Sequence, residues 1–591
     1  PKFICPSYTL SLQFNLNNDY PFACGDDDVP PLGAFTFVLH SHLPYTRLAG
    51  RWSHGEEWIH EAATETYLPL LQVLYDLKEQ GVYFRLTLSI TPVLAEQLAD
   101  TDVLDHLDQF LDDKIAAAAQ DKIYFESPAA ANPNLVTLAK YYQKNFEAIK
   151  YAFHNRFNRD IIGAFRRLQE EGLIEIITSA ATHAYLPLLS RDSSINAQIK
   201  AAVQSYERLF GRKPKAIWLP ESAYRPAYIA EDGHTRAGLE TFLEQNDLHL
   251  FFSETNAITG GQPVGVAAGE VIGPYSEIKR RYVIPPNPAF QISERPATTY
   301  KPYFVSEASS EDHSDVTVIG RNNKTVMQVW GTTEAYPGDF DYREFYKKAG
   351  TSGLQYWRIT GVKTDFASKD YYHPEWAAYK IDQHAEHFAH LVGDLLRDYQ
   401  QQTGDFGFIA SNFDTELFGH WWYEGVAWLG QVLRHLASIR DIELTTASEF
   451  IQRHPTKDGL HIPESSWGSN GTHFNWDNIE THWMWQPIHD AEVRMESLVA
   501  RFPEANDDQH LLLNQIAREL LLLQSSDWPF LITTGQAREY AIQRFNQHLE
   551  RFNKLIDSLD SGAPDRSLAE NYYELDKLFP EIDYRWFAAL E

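Results

Sequence analysis

Residues 33–45 read GAFTFVLHSHLPY, an apolar run over Ala34–Leu39 that stops in His40-Ser41-His42-Leu43-Pro44-Tyr45. A short β-branched or aromatic run that ends in polar residues is the unit that recurs along this chain. Comparable strand candidates are Phe84–Ser89, Ile174–Thr178, Ala216–Leu219, Leu248–Phe252, Thr325–Val329, Phe406–Ala410 and Ile442–Thr445. Amphipathic helical text separates several of them, as in Tyr67–Glu79, Ile161–Glu171 and Ala201–Phe210. Alternating strands and helices imply an α/β fold with parallel strands and right-handed crossovers. Seven or eight such units point to a closed (β/α) barrel.

The text between the units varies. Residues 91–160 carry extra helical pattern, including Asp108–Ala119 and Leu138–His154. Residues 256–320 form a long segment enriched in Gly, Pro and Ser, with Tyr275, Tyr282, Tyr300 and Tyr303. Loops of that length in a compact domain are functional or disordered. Near Ser465 the pattern changes, and after Pro487 it is helical almost throughout, as in Ala491–Arg501, His510–Leu523 and Gly535–Leu559. The expected division is an N-terminal extension (1–32), a catalytic α/β part (33–460) and a C-terminal all-helical domain (461–591).

Composition excludes several classes. The 591 residues carry 51 Lys+Arg against 81 Asp+Glu, a formal charge of −30. Nucleic-acid backbones and anionic membranes need clustered cations, so neither is an expected partner. No apolar run approaches the roughly 18–20 residues of a membrane span. The two cysteines, Cys5 and Cys24, exclude a disulfide framework and a Cys-ligated zinc site. Residues 1–30 lack the basic start and long apolar core of a signal peptide. The expected location is a reducing compartment, the cytoplasm or an organelle such as a plastid. The 15 Trp, 31 Tyr and 34 Phe are many, and flat aromatic faces suit sugar rings.

In a barrel, chemistry sits at the C-terminal ends of strands. Two of these ends deliver a carboxylate, Glu221 after Trp218-Leu219-Pro220 and Asp414 after Asn412-Phe413. Two carboxylates across a barrel mouth are the parts of a glycosidase, one attacking or activating water and the other protonating the leaving oxygen. The bland alternative is a helix cap or an ion pair. His40 and His42 fall on one side of a continuing strand. With His183 they fit a three-His zinc site, hydrogen bonds to a substrate hydroxyl, or structural packing. Of the Trp-rich stretches His420–Tyr423 and Trp467…Trp485, most fit core packing. Trp467 and Trp476 differ, because Gly and Asn surround them and an exposed ring there would stack on sugar.

Five ordered motifs, HSHLPY (40–45), TSAATHAYLP (178–187), WLPE (218–221), FDTELFGHWWYEG (413–425) and SDWPF (526–530), resemble glycoside hydrolase family 57, and within it the 1,4-α-glucan branching enzymes. Glu56-Glu57-Trp58 and Tyr336-Pro337-Gly338-Asp339 agree with the same pattern, so the resemblance runs from about Gly33 to the end of the chain. It implies an incomplete, TIM-like (β/α)7 barrel followed by a helical domain, no metal or organic cofactor, and a retaining reaction. Glu221 matches the family's nucleophile and Asp414 its acid/base. Trp58, Arg321, Gly338, Trp467, Trp476, Asp527 and Gln536 match substrate-groove positions, and Trp422 is a further substrate-binding candidate. His40, His42 and His183 match residues contacting the sugar beside the nucleophile. Tyr275 and Tyr282 are candidates for a loop tyrosine that shields the site from water.

The implied function is cleavage of an α-1,4-glucan and transfer of the chain to a 6-hydroxyl, as in glycogen or starch branching. The partner is then an α-glucan, and the oligomeric state is left open. An α-amylase or 4-α-glucanotransferase would use the same site with another acceptor. A zinc-dependent polysaccharide deacetylase would need metal on the histidines, and a non-catalytic glucan binder would not need both acids. The mechanism also implies that Asp414 binds its proton more tightly than Glu221, and so sits in the less solvated or more anionic setting.

Overall fold

The computed structural model describes residues 31–50, 55–230, 233–262, 272–273, 276–277, 292–306, 313–330, 335–350, 352–361 and 363–590. Residues 1–30 of the expected extension, and Tyr275 and Tyr282, lie outside the described residues. The principal strands are β1 (Gly33–Ser41), β2 (Leu86–Ile90), β3 (Ile174–Ile177), β4 (Leu250–Ser253), β5 (Tyr303–Ser306), β6 (His313–Gly320), β7 (Gly407–Asp414) and β8 (Ile442–Leu444). One sheet has the order β7-β1-β2-β3, with β8 also pairing β1. All of its pairings are parallel. In the second sheet β6 lies between β4, to which it is parallel, and β5, to which it is antiparallel. Ile217 joins the sheets by parallel bridges to Thr178, just past β3, and to Phe251 in β4.

β1 is covered on both faces and is therefore buried over its whole length. Phe35, Phe37 and Leu39 pack outward with helices Leu68–Glu79, Pro374–Thr403 and Gly425–Ser438, around an aromatic cluster centred on Trp428. Ala34 and Val38 face the other way, together with Phe408 and Ala410 of β7 and with Ile177, Trp218, Phe252 and Ile319. The inward face of β1 therefore continues to His40, and that of β7 to Asp414. The two residues are register partners.

Two sequence expectations are corrected. Thr325–Val329 is not a strand but part of helix Asn323–Trp330. Asn322 starts that helix, because its side-chain oxygen accepts from Thr325 N–H at 3.2 Å. Thr325, Val326 and Val329 then share the buried face at helical spacing. The strand is β6, inside the segment read as a long loop, where Val316, Val318 and Ile319 are buried between β4 and β5. Residues 91–160 hold the helices Pro92–Ala99, Thr101–Glu126 and Pro133–Tyr151. From Trp485 the chain is helical, with Trp485–Arg501, Asp507–Leu523, Asp527–Thr534, Arg538–Asp560 and Arg566–Leu575. Among the described residues no helix is long and apolar enough to cross a membrane.

Trp428 is fully buried, with ring centroids of Phe388, Trp422, Phe418 and Phe37 at 5.1–6.1 Å. Trp428→Ala removes the packing that seats two helices on β1. We expect a loss of about 3–5 kcal/mol, read as a lowered urea or thermal unfolding midpoint.

Candidate active site

Glu221 lies four residues beyond Ile217 and sits on strained backbone, with φ 61° and ψ 22°. Ser222 (φ 48°) and His183 (φ 56°) are also left-handed. Such residues cost on the order of 1–3 kcal/mol each and cluster where geometry serves function. The strain turns the Glu221 side chain into a pocket completed by distant chain. Trp467 Nε1–H donates to Glu221 Oε2 at 2.7 Å and Ser526 Oγ–H to Oε1 at 2.9 Å. The donors are fixed by backbone. Ser465 exchanges two hydrogen bonds with Tyr224, Trp467 N–H donates to Glu221 O at 3.1 Å, and Ser526 N–H donates to His183 O at 3.1 Å.

Three imidazoles pave the floor beside this carboxylate. His42 and His183 stack at 3.8 Å, and His40 stacks on Trp218 at 4.8 Å. His40 Nε2 and His183 Nε2 are 3.1 Å apart, so one donates and the other accepts. Burial and the neighbouring His42 push both pKa values well below the ordinary histidine value, which keeps these rings neutral. His42 differs. Burial alone would lower its pKa, but Asp527, Glu221 and Glu416 together raise it. Its Nε2 bonds Asp527 Oδ1 at 3.0 Å, and its Nδ1 meets Thr91 Oγ1 at 3.1 Å. The zinc alternative for the three histidines gains no support from their donor atoms. Among the described residues the metal-ligating group whose donor atoms lie within 4.8 Å of one another is Glu519, His548 and Asp576, buried in the helical region, and not the histidines.

Asp414 ends β7 and is partly covered. Burial raises its pKa to about 6, against the pull of Arg321 and His42. Arg321 directly follows β6 and donates to Glu254 Oε1 at 2.6 Å. Burial raises Glu221 further, to about 7, even with its two hydrogen-bond donors. Burial thus raises both acids, and Arg321 favours ionised Asp414, so the expected tighter hold of Asp414 on its proton does not appear. Two residues that the motifs contain but sequence reasoning gave no role also belong here. One is Ser526. The other is Glu416, which accepts from the Tyr67 hydroxyl and from His42 N–H at 3.1 Å. Burial raises Glu416 to about 7 as well. The signal available for both was position, since each lies within two residues of a motif acid, Glu221's partner segment or Asp414.

The remaining candidates divide. Trp467 is half-buried at the carboxylate, and Asp527 is held by His42. Gln536 lies in the turn after helix Asp527–Thr534, partly exposed. Trp58 lines a neighbouring cleft. Gly338 is exposed in a turn whose Tyr336 and Asp339 contact His387 and His384 of helix Pro374–Thr403. Trp476 and Trp422 correct the expectation. Trp476 is fully buried, stacked on Tyr185 at 4.4 Å with Gly468 against its ring. Trp422 belongs to the Trp428 cluster. Neither presents a face to a ligand, because their loops fold over them.

An α/β chain with one carboxylate at the end of β7 and another just past the Ile217 segment carries the parts of a glycosidase. The family model for glycosyl hydrolase family 57 matches residues 36–463, and that for the C-terminal part of 1,4-alpha-glucan branching enzymes matches residues 487–587. The chain belongs to glycosyl hydrolase family 57. It is 42% identical over 559 residues to a 1,4-alpha-glucan branching enzyme of Thermococcus kodakarensis, covering 93% of this chain and 78% of the relative. The crystal structure of a family 57 branching enzyme from Thermococcus kodakaraensis superposes with a TM-score of 0.84 at 41% identity, over 95% of this chain and 97% of that one. That of an alpha-amylase from Thermotoga maritima gives 0.78 at 31% identity, over 95% and 99%.

Two predictions follow from Glu221. Folding raises its pKa above the ordinary 4.5, so the protonated form favours the fold. That contribution is present below about pH 4.5 and is lost as pH rises through about 7. Glu221→Gln cannot ionise, so its unfolding midpoint should gain on the parent between pH 5 and 8. Trp467→Phe deletes a donor to the ionised carboxylate and raises its pKa further. If Glu221 must be ionised and Asp414 protonated, the peak of kcat/KM should fall roughly tenfold while the basic limb moves to higher pH.

Proposed function

We propose that this chain is a retaining 1,4-α-glucan branching enzyme. The observation that carries the reading is the 42% identity to a curated branching enzyme over 93% of the chain, supported by the branching-type match in the helical region. The alpha-amylase likeness is weaker, at 31%. We further read β7, β1, β2, β3, the segment around Ile217, β4 and β6 as seven staves of an incomplete (β/α)7 barrel over residues 33–460. Residues 461–591 form a C-terminal helical domain in that reading. The parallel bridges of Ile217, and the Asn322 N–H to Ala410 O bond between the segment after β6 and β7, support it.

Glu221 attacks C1 of an α-1,4-linked glucose, and Asp414 protonates the departing O4. A glucosyl ester on Glu221 results. Asp414 then takes the proton of an incoming 6-hydroxyl, which attacks C1 and releases Glu221. Trp467 and Ser526 disperse the negative charge that returns to Glu221. His40 and His183, being neutral and bonded to each other, to Ser89 and to Ser526, hold the floor and Ser526 in place without competing for the acid's proton. His42, whose pKa the surrounding carboxylates raise, holds Asp527 in place. With Glu221 raised to about 7 and Asp414 to about 6, the form with Glu221 ionised and Asp414 protonated is the minor one of the two singly protonated forms. That form is best populated between about pH 6 and 7.

Incubation with amylose should lower iodine absorbance and raise α-1,6 proton signals with few new reducing ends. Glu221→Gln and Asp414→Asn should each lose at least about a thousandfold in rate. Reducing ends rising in step with colour loss, without α-1,6 signal, would make the protein a hydrolase instead.

A further inference from the structure

A cavity of about 160 Å³ lies at the starts of the strands, away from the acids. Its lining includes Ile174 and Glu175, which open β3, and Lys215, two residues before Ile217. Asp414 ends β7 and Glu221 lies past the Ile217 segment, and no residue of the acid site lines this cavity. One water needs roughly 10–15 Å³ of such space, whereas a cavity of roughly 150 Å³ takes a six-membered ring. The space is therefore on the scale of one ring and not of one bridging water.

The inner wall holds one donor and one acceptor without partners. Gln169 and Glu175 are 2% and 6% exposed, and among the described residues Gln169 Nε2 and Glu175 Oε1 form no hydrogen bond. The other oxygen of each side chain is held. Gln169 Oε1 accepts from Ile176 N–H at 2.7 Å and from the Tyr206 hydroxyl at 3.0 Å. Glu175 Oε2 accepts from Ser448 N–H at 3.0 Å and from the Thr87 hydroxyl at 3.4 Å. Neither side chain can turn away to pair elsewhere without breaking these bonds, and a buried polar group left unpaired costs more than a formed bond gains. A single hydroxyl satisfies both, because it donates to a carboxylate oxygen and accepts from an amide N–H. The mouth is cationic. Arg212, Lys213 and Lys215 are exposed lining residues. Lys213 is engaged by Asp247 at 2.8 Å. Burial raises the pKa of Glu175, and the Ser448 bonds, Lys215 and Arg212 pull it back. Glu449, also in the lining, is drawn to Arg453 and Arg85 at 3.7 and 3.9 Å. Positive charge is therefore in excess at the mouth, where an anion would pair with it.

We propose that this cavity binds a phosphorylated monosaccharide, with the phosphate at Arg212 and Lys215 and a ring hydroxyl bridging Glu175 Oε1 and Gln169 Nε2. A hydroxyl at one end, an anion at the other and one ring between them match the inner wall, the mouth and the volume in turn. The site is separate from the acids, so the inference does not rest on the branching reading.

The test is calorimetric titration of the full chain with glucose 6-phosphate, with glucose and with inorganic phosphate. Glucose 6-phosphate should bind with a Kd of about 1 mM or tighter, and each of the other two at least about tenfold more weakly. Arg212→Ala and Lys215→Ala change exposed side chains and should keep the parent's thermal midpoint. Each should weaken glucose 6-phosphate about tenfold, while Glu221→Gln binds it as the parent does, which keeps the binding away from the acids. Absence of binding up to about 10 mM overturns the proposal. So does an unchanged Kd in both folded rim variants, or a loss of binding in Glu221→Gln. Inorganic phosphate that binds as tightly as glucose 6-phosphate overturns it as well, since the inner wall would then contribute nothing.

Discussion

The carboxylate of Glu221 has been taken almost completely out of water, and the two hydrogen bonds from Trp467 Nε1 and Ser526 Oγ are what make that tolerable. A buried acceptor left without donors costs far more than a formed bond gains. The rest of the site is arranged around that requirement. The donors come from residues 246 and 305 positions further along the chain. They arrive only because residues 465–467 lie along Tyr224 and Ser525 bridges Ala184. The left-handed backbone at His183, Glu221 and Ser222 is sustained by the same docking. The helical region is therefore a structural part of the acid site and not an appendage to it.

Electrostatics at the floor follow from which imidazole meets a carboxylate. His42 reaches Asp527 and lies within range of Glu221, Asp414 and Glu416, so carboxylates offset its desolvation. His40 and His183 have each other, two hydroxyls and a Trp face, and stay neutral. Three acids with raised affinity, Glu221, Asp414 and Glu416, then share a small volume in which few protons are needed near neutral pH.

The loop after Asp414 connects that floor to the cleft. Tyr67, Glu65 and Thr66 on one widened helical turn hold Glu416 and His420, and Gly419 lets the two chains touch.

The sequence by itself determined the strand ends and their acids. Apolar runs that stop in HSHLPY, WLPE and FDTE placed His40, Glu221 and Asp414 at the C-terminal ends of strands or of the Ile217 segment, because a strand buried on both faces reads as a continuous apolar run. It also determined that the C-terminal text is helical and that the chain falls in family 57. It misplaced the strand before Arg321, since Thr325-Val326-Met327-Gln328-Val329 has β-branched content and only the Asn322 cap makes it a helix. What the tertiary structure alone decided was exposure and pairing. Trp467 and Trp476 sit in similar Gly- and Asn-rich text, yet one reaches Glu221 and the other is sealed against Tyr185. The order of the Glu221 and Asp414 proton affinities likewise depends on how completely distant segments exclude water, which no spacing of residues along a chain encodes.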